Sequence, residues 1–277
     1  MSIISISNGT LSVDIDTLAA TLSSIRKDGI EYLWQADAKY WSYHDKNLFP
    51  YVGRLTDEKY IYNGKEYHMG LHGFCGDKEF AVADKSCSSV TLMLEDSEAT
   101  YKDYPFRFRY EVIYSLHNNV LKKECIVTNK GDNEMFFGLG SHPGFSVPIN
   151  GEGEFSDWYF EFPAAGTPVR VGFDDDTHRL NDEDSSFELE DGVRLHLEHS
   201  CFDRDAIVLA DMPKTVTLKS DSSARAVIAS YPDMDFLGLW HMPHTDAPYV
   251  CIEPWKSLPS HSEFIEDIAK QDHIVSL

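Results

Sequence analysis

Basic residues are scarce in this sequence: 24 Lys and Arg stand against 46 Asp and Glu in 277 residues, a formal net charge of −22. A field of that sign repels polyphosphates and anionic lipid headgroups, which argues against nucleic acid and membrane partners. Cysteine is sparse too. Cys75, Cys87, Cys125, Cys201 and Cys251 are odd in number, scattered and never spaced as CxxC, so neither a disulfide framework nor a zinc knuckle is indicated. A reduced, cytoplasmic compartment is expected. No apolar run approaches the roughly 20 residues that span a bilayer. The opening residues, MSIISISNGTLSVDID, have neither the basic nor the long apolar portion of a signal peptide. With no fixed-period repeat and no low-complexity linker, residues 1–277 read as one domain, a length that all-β sandwiches reach as a unit. The 42% apolar and 13% aromatic content excludes a disordered chain.

What the sequence does have is period-2 alternation broken by turn residues. Ile4 and Ile6 precede Asn8-Gly9, and Leu11, Val13 and Ile15 follow. Tyr60 to Tyr62 precede Asn63-Gly64, with Tyr67 beyond. Val112 to Leu116 lead into Asn118-Asn119 and back through Val120 to Val127. Asn-Gly pairs suit a type I′ hairpin turn because both central residues need positive φ. Lys130-Gly131 before Met135 to Leu139 marks a further reversal, so the middle of the chain reads as an antiparallel meander. Helical patterning is rare, and its best instance is Ser260 to Lys270, with Ser262 as a possible cap. The acid-rich stretch 151–191 reads as solvated loops over a couple of strands.

Four segments place polar side chains in apolar or Gly/Pro-rich surroundings, where strand ends and loops present groups to small molecules. Arg54 closes Phe49-Pro50-Tyr51-Val52-Gly53-Arg54 and offers forked donors suited to sugar hydroxyls, although a surface ion pair is the plainer alternative. His72 is followed by Gly73, which permits close approach of a ligand or of backbone, and a structural hydrogen bond would explain it equally. His142 stands in Gly140-Ser141-His142-Pro143-Gly144, where Pro143 biases it to an extended conformation and removes a ladder donor. Glu253 ends the apolar run Val250-Cys251-Ile252 before Pro254-Trp255. That setting desolvates the acid and raises its pKa toward the range useful for proton transfer, while Trp255 supplies a flat face of the kind sugars stack on. Asp203 and Asp205 precede another apolar strand, Asp205 being the nearer. His199, His241 and His244 could in principle join Glu253 in a metal site, but no HxH or HExxH spacing supports it, and no metal or other cofactor is expected.

FPYVGR, LHGF, GSHPGF, FDRDAIVL and VCIEPW, in this order along essentially the whole chain, resemble the aldose 1-epimerase (galactose mutarotase-like) family, and most of all its smaller bacterial epimerase-related branch. The resemblance implies a large twisted antiparallel β-sandwich with a sugar in an open cleft. It implies Glu253 as general base, His142 as general acid, His72 as a second active-site histidine, Arg54 as a substrate-binding arginine and Asp205 as a substrate-holding aspartate, with Asp203 its competitor. The activity implied is interconversion of the α and β anomers of a free aldose such as galactose or glucose, by a monomer or homodimer without cofactor. A hexose-6-phosphate mutarotase and a non-catalytic sugar sensor are the alternatives.

Overall fold

Each Asn-containing reversal forms a hairpin. Ile3–Ser7 pairs with Leu11–Asp16, and Lys59–Tyr62 pairs with Lys65–His68. Asn63 and Gly64 between the latter two strands have φ of 51° and 73°, as a type I′ turn requires. The longest hairpin joins Phe108–His117 to Val120–Asn129 around Asn118, and its first strand buries Phe108, Tyr110, Val112, Tyr114 and Leu116 on alternate positions. These contacts come from a computed structural model that describes residues 2–164 and 166–277.

The described strands are antiparallel throughout their sheets, making an all-β sandwich as the alternation predicts. One four-stranded sheet is built from Ile3–Ser7, Leu11–Asp16, Thr21–Lys27 and Ile30–Glu31. A second carries the long hairpin with Ser89–Glu95 and Ala81–Lys85, and a third groups Trp158–Glu161 with Arg194–His196, Thr215–Ser220 and Ala226–Ser230. The largest sheet runs Ser185–Ser186, Val169–Arg170, Ile207–Ala210, Phe236–Trp240, Tyr249–Trp255, Gly140–Ser141 and Asn47–Leu48, with Gly144–Ser146 also paired to Tyr249–Trp255. A continuous apolar core joins these sheets. Among the described residues no helix is long and apolar enough to cross a membrane.

Two local readings need correction. The segment from Ser260 is not helical, because buried Ser260 is bonded to distant residues: its N–H bonds the Arg54 carbonyl, its carbonyl accepts from the Leu180 N–H, and its hydroxyl accepts from the Thr56 N–H. Only Ile268–Lys270 makes a 3₁₀ turn there, capped by Asp267 instead of Ser262. The α-helix lies at Glu98–Asp103, where Ser97 and Thr100 form a reciprocal capping box with threonine in the place of the usual Glu or Gln. The meander also ends sooner than read, since Phe136–Phe137 leaves the preceding strand and pairs with Val275–Ser276.

Candidate active site

The Tyr249–Trp255 strand alternates between two destinations. Val250 and Ile252 enter the main core, whereas Tyr249, Cys251, Glu253 and Trp255 face the other side of the sheet. On that side one small apolar cluster gathers Trp34, Trp41, Tyr249 and Cys251, and another gathers Leu48, Val208, Phe236 and Trp255. Glu253 stands between them. Gly140 pairs with Trp255 and Gly144 with Cys251, so the register brings His142 opposite Glu253. On its other flank Gly140 pairs with Leu48 and Ser141 with Asn47, and the His142 N–H bonds the Lys46 carbonyl at 2.9 Å. Directly opposed residues of an antiparallel ladder share a face, so Glu253, His142 and Lys46 form one row.

His142 Nε2 lies 3.3 Å from Glu253 Oε1. Both side chains are buried, Glu253 at 1% exposure and His142 at 7%. Burial, followed by the nearby Asp205 charge, holds the Glu253 carboxyl well above the ordinary carboxylate range. Burial, followed by His72 and Lys46, holds His142 well below the ordinary histidine range. These opposed shifts favour the neutral acid beside the neutral imidazole over the ion pair. His142 Nδ1 is buried without a partner among the described residues. Its ring stacks on Trp41, centroids 4.9 Å apart, and meets Trp240 edge-on at 5.4 Å.

Trp255 reaches the pair through its indole N–H, which donates to Glu253 Oε2 at 3.3 Å. At 4% exposure its ring is covered by the sheet and its cluster, so its part is to hold the carboxylate, and the open stacking face read from sequence is not available. Gly238, opposite Glu253, leaves the room: a Cβ there would come within 3.1 Å of Glu253 Cβ and 3.4 Å of the Trp255 ring.

His72 takes a positive φ of 63° before Gly73, where a Cβ would lie 2.4 Å from the Phe49 carbonyl oxygen. The Gly53 N–H donates to His72 Nδ1 at 3.1 Å, which fixes the proton on Nε2 and makes this ring a donor toward the site. Burial, then Lys46 and Arg54, pushes its pKa down to about 3, so it stays neutral. Its ring stands 5.8 Å from that of His142. Arg54 is exposed, close enough to His72 to act on its charge. Asp205 Oδ1 accepts from Trp240 Nε1 at 2.6 Å, and its Oδ2 lies 3.4 Å from His178 Nδ1. Asp203 turns elsewhere, to His244 at 3.2 Å. Of the two aspartates, Asp205 is thus the one tied to this face of the sheet.

Four residues at the site carried no sequence signal: Trp41, Lys46, Trp240 and His178. Lys46 and Trp240 owe their place to strand register, and Trp41 to the preceding loop, where its carbonyl accepts from the Trp34 indole N–H. His178 comes from the acid-rich stretch read as solvated loop, which folds back so that Leu180 is buried and its N–H bonds the Ser260 carbonyl.

The aldose 1-epimerase family model matches residues 2–262. The chain belongs to that family. Protein LacX, plasmid form, from Lactococcus lactis subsp. lactis is 32% identical over 268 residues, covering 94% of this chain and 89% of its own. A galactose mutarotase related enzyme from Lactobacillus acidophilus superposes with a TM-score of 0.92 at 33% identity, covering 100% of this chain and 92% of its own. A galactose mutarotase-like protein from Lactobacillus casei superposes at 0.94 with 29% identity, covering 100% and 95%. The fold expected of the family is therefore the fold of this chain.

One potential ligand cluster exists among the described residues of this family member: nitrogen, sulfur and oxygen atoms of His142, Cys251 and Glu253 lie within 4.8 Å of one another. Zinc accepts such a donor set, but an ion there would occupy the two groups that share the proton. The other histidines do not converge on Glu253. His199 Nδ1 contacts His241 Nε2 at 3.2 Å, and His244 pairs with Asp203.

Proposed function

We propose that the protein is an aldose 1-epimerase, interconverting the α and β anomers of a free aldose such as galactose or glucose in the cytoplasm. The observation that carries this reading is the buried His142–Glu253 contact at 3.3 Å. Mutarotation needs one proton taken from the C1 hydroxyl and one given to the ring oxygen. Ionised Glu253 accepts the first and protonated His142 donates the second, the C1–O5 bond breaks and the C1–O1 bond becomes a carbonyl. Rotation about C1–C2 presents the other carbonyl face. On reclosure the C5 hydroxyl returns its proton to His142 and Glu253 reprotonates O1.

The two tautomers of the pair match the two states of the sugar. Ring opening converts the ion pair to the neutral pair, which is the form burial favours, so the protein stabilises the state that accompanies the open chain. The mechanism requires the closed sugar, by hydrogen bonding to both groups, to draw the pair into its ion-paired tautomer. Each positioned proton transfer contributes about 10²–10⁴-fold. Neutral His72 donates through Nε2, Arg54 supplies forked donors at the exposed edge, and Asp205, fixed by Trp240, accepts from sugar hydroxyls. Polarimetry or NMR on freshly dissolved α-glucose, α-galactose and a hexose 6-phosphate tests the reading. Acceleration of anomer exchange is expected, and binding without acceleration would replace the enzyme with a sensor.

A further inference from the structure

Lys46 acts on the proton-exchange pair only through its charge, yet it is third in the row after Glu253 and His142. Its side chain is half-buried, and its ammonium lies 3.8 Å from the centroid of the Tyr43 ring. No carboxylate among the described residues comes within ion-pair distance of it, in a chain with a net charge of −22. An ammonium has three donors and no acceptor, and a partly desolvated one with idle donors is costly unless something bonds to it. An aromatic face offsets part of that cost but accepts no conventional hydrogen bond. Burial pulls the Lys46 pKa down, while Asp77 and Glu253 pull it back up.

The order of atoms in an aldohexose supplies a candidate partner. O1 and the ring oxygen are both bonded to C1, and beyond the ring oxygen come C5 and its substituent C6. Strands in a sheet stand about 4.8 Å apart, so three opposed side chains present three polar ends in sequence across one face. With O1 at Glu253 and the ring oxygen at His142, the substituent on C5 extends toward Lys46. This orientation rests on the mutarotase reading, which assigns the first two atoms.

We propose that Lys46 is a substrate-specificity residue that binds the oxygen on C6 of an aldohexose, as a hydroxyl or as its phosphate ester. The Tyr43 ring beside the ammonium restrains it at that end of the row. The site then distinguishes hexoses from sugars that lack this oxygen, because an unmatched ammonium keeps the cost of its partial burial.

Galactose and 6-deoxygalactose, with wild type and Lys46→Met, make the test cycle, and Lys46→Gln provides a second variant should the first fold poorly. Wild-type kcat/KM is expected to favour galactose by about tenfold or more, the scale of one charge-assisted hydrogen bond. Lys46→Met should bring that ratio close to one, on top of any change common to both sugars from removing its charge beside His142 and His72. A galactose to 6-deoxygalactose ratio in the variant that stays at its wild-type value overturns the assignment. Quenching of tryptophan fluorescence gives the same ratios as dissociation constants without turnover. A wild type that binds both sugars but exchanges no anomer therefore sinks the enzyme reading while the binding ratios still decide Lys46, and a wild type that binds neither sugar overturns both. Galactose 6-phosphate as a third probe identifies the source of the oxygen: tighter binding than galactose, lost in Lys46→Met, assigns an ester, and weaker binding assigns a hydroxyl.

Discussion

The imidazole of His142 is stacked on the indole of Trp41, ring centroids 4.9 Å apart and planes 22° apart. Trp41 is itself 7% exposed, so this contact is part of what keeps water from the histidine and holds its pKa down. Replacing Trp41 by Leu should admit water and raise the His142 pKa toward the usual range of about 6.5. The acid limb of the kcat profile should then move to higher pH, and an unmoved limb would remove Trp41 from this role.

On the proposed mechanism the pair works while it holds one proton, which sets the sign of both limbs in the wild type. A second proton goes to His142, whose pKa is depressed, so the acid limb falls below about pH 6.5; the last proton leaves Glu253, whose pKa is raised, so the alkaline limb lies above about pH 4.5 by a wide margin. A broad plateau through neutrality is expected in anomer-exchange rates measured against pH. A narrow bell centred near pH 5 would contradict it.

Asp205 adds to burial in raising the Glu253 pKa, and it also accepts the Trp240 indole N–H. Asp205→Asn removes the charge and retains an accepting oxygen. The Glu253 pKa should drop, moving the alkaline limb to lower pH, and KM should rise several-fold through the lost sugar contact, on the order of 1 kcal/mol or more. An alkaline limb that shifts upward would mean that Asp205 does not act on Glu253.

Much of the fold can be read in the sequence wherever one turn decides a pairing. Asn63-Gly64 requires two left-handed residues in a row, so a hairpin follows from two letters. His142 before Pro143 and Glu253 at the end of an apolar run were legible for a similar reason, since backbone restriction and desolvation are local. Lys46 was not, because nothing near it in sequence says that it will stand beside His142. Trp41 and Trp240 are ordinary aromatic letters until a loop and the sheet bring them to one imidazole. The helix at Glu98–Asp103 is hidden because Ser97 and Thr100 reciprocate through a threonine hydroxyl, and the segment after Ser260 departs from its helical pattern because Ser260 is bonded to Arg54, Thr56 and Leu180, all remote in the chain.

Gly238 is predicted to matter for activity more than for stability. Alanine there places a methyl 3.1 Å from Glu253 Cβ and against the Trp255 ring, in a strand whose other face remains packed. A fall in kcat of about tenfold is expected from the displaced carboxylate, because small misplacements of a reacting group are costly. Thermal unfolding should shift by only a few degrees, roughly the effect of 1 kcal/mol in a chain of this size. A large loss of Tm with kcat intact would reverse the assignment.

The proposed exchange uses side-chain protons alone, so EDTA should leave activity intact. Loss on chelation, restored by one divalent ion, would instead make His142, Cys251 and Glu253 a metal centre.

The central claim is that Glu253 and His142 act as one proton-exchange unit, and the most direct test is anomer exchange of fresh α-galactose or α-glucose, followed by NMR, in Glu253→Gln, His142→Asn and the double variant. Each single change should lower kcat by about 10²-fold or more with the fold preserved, and the double variant should lose little beyond the worse single one, as coupled catalytic groups do. Near-wild-type exchange in both single variants would contradict the account.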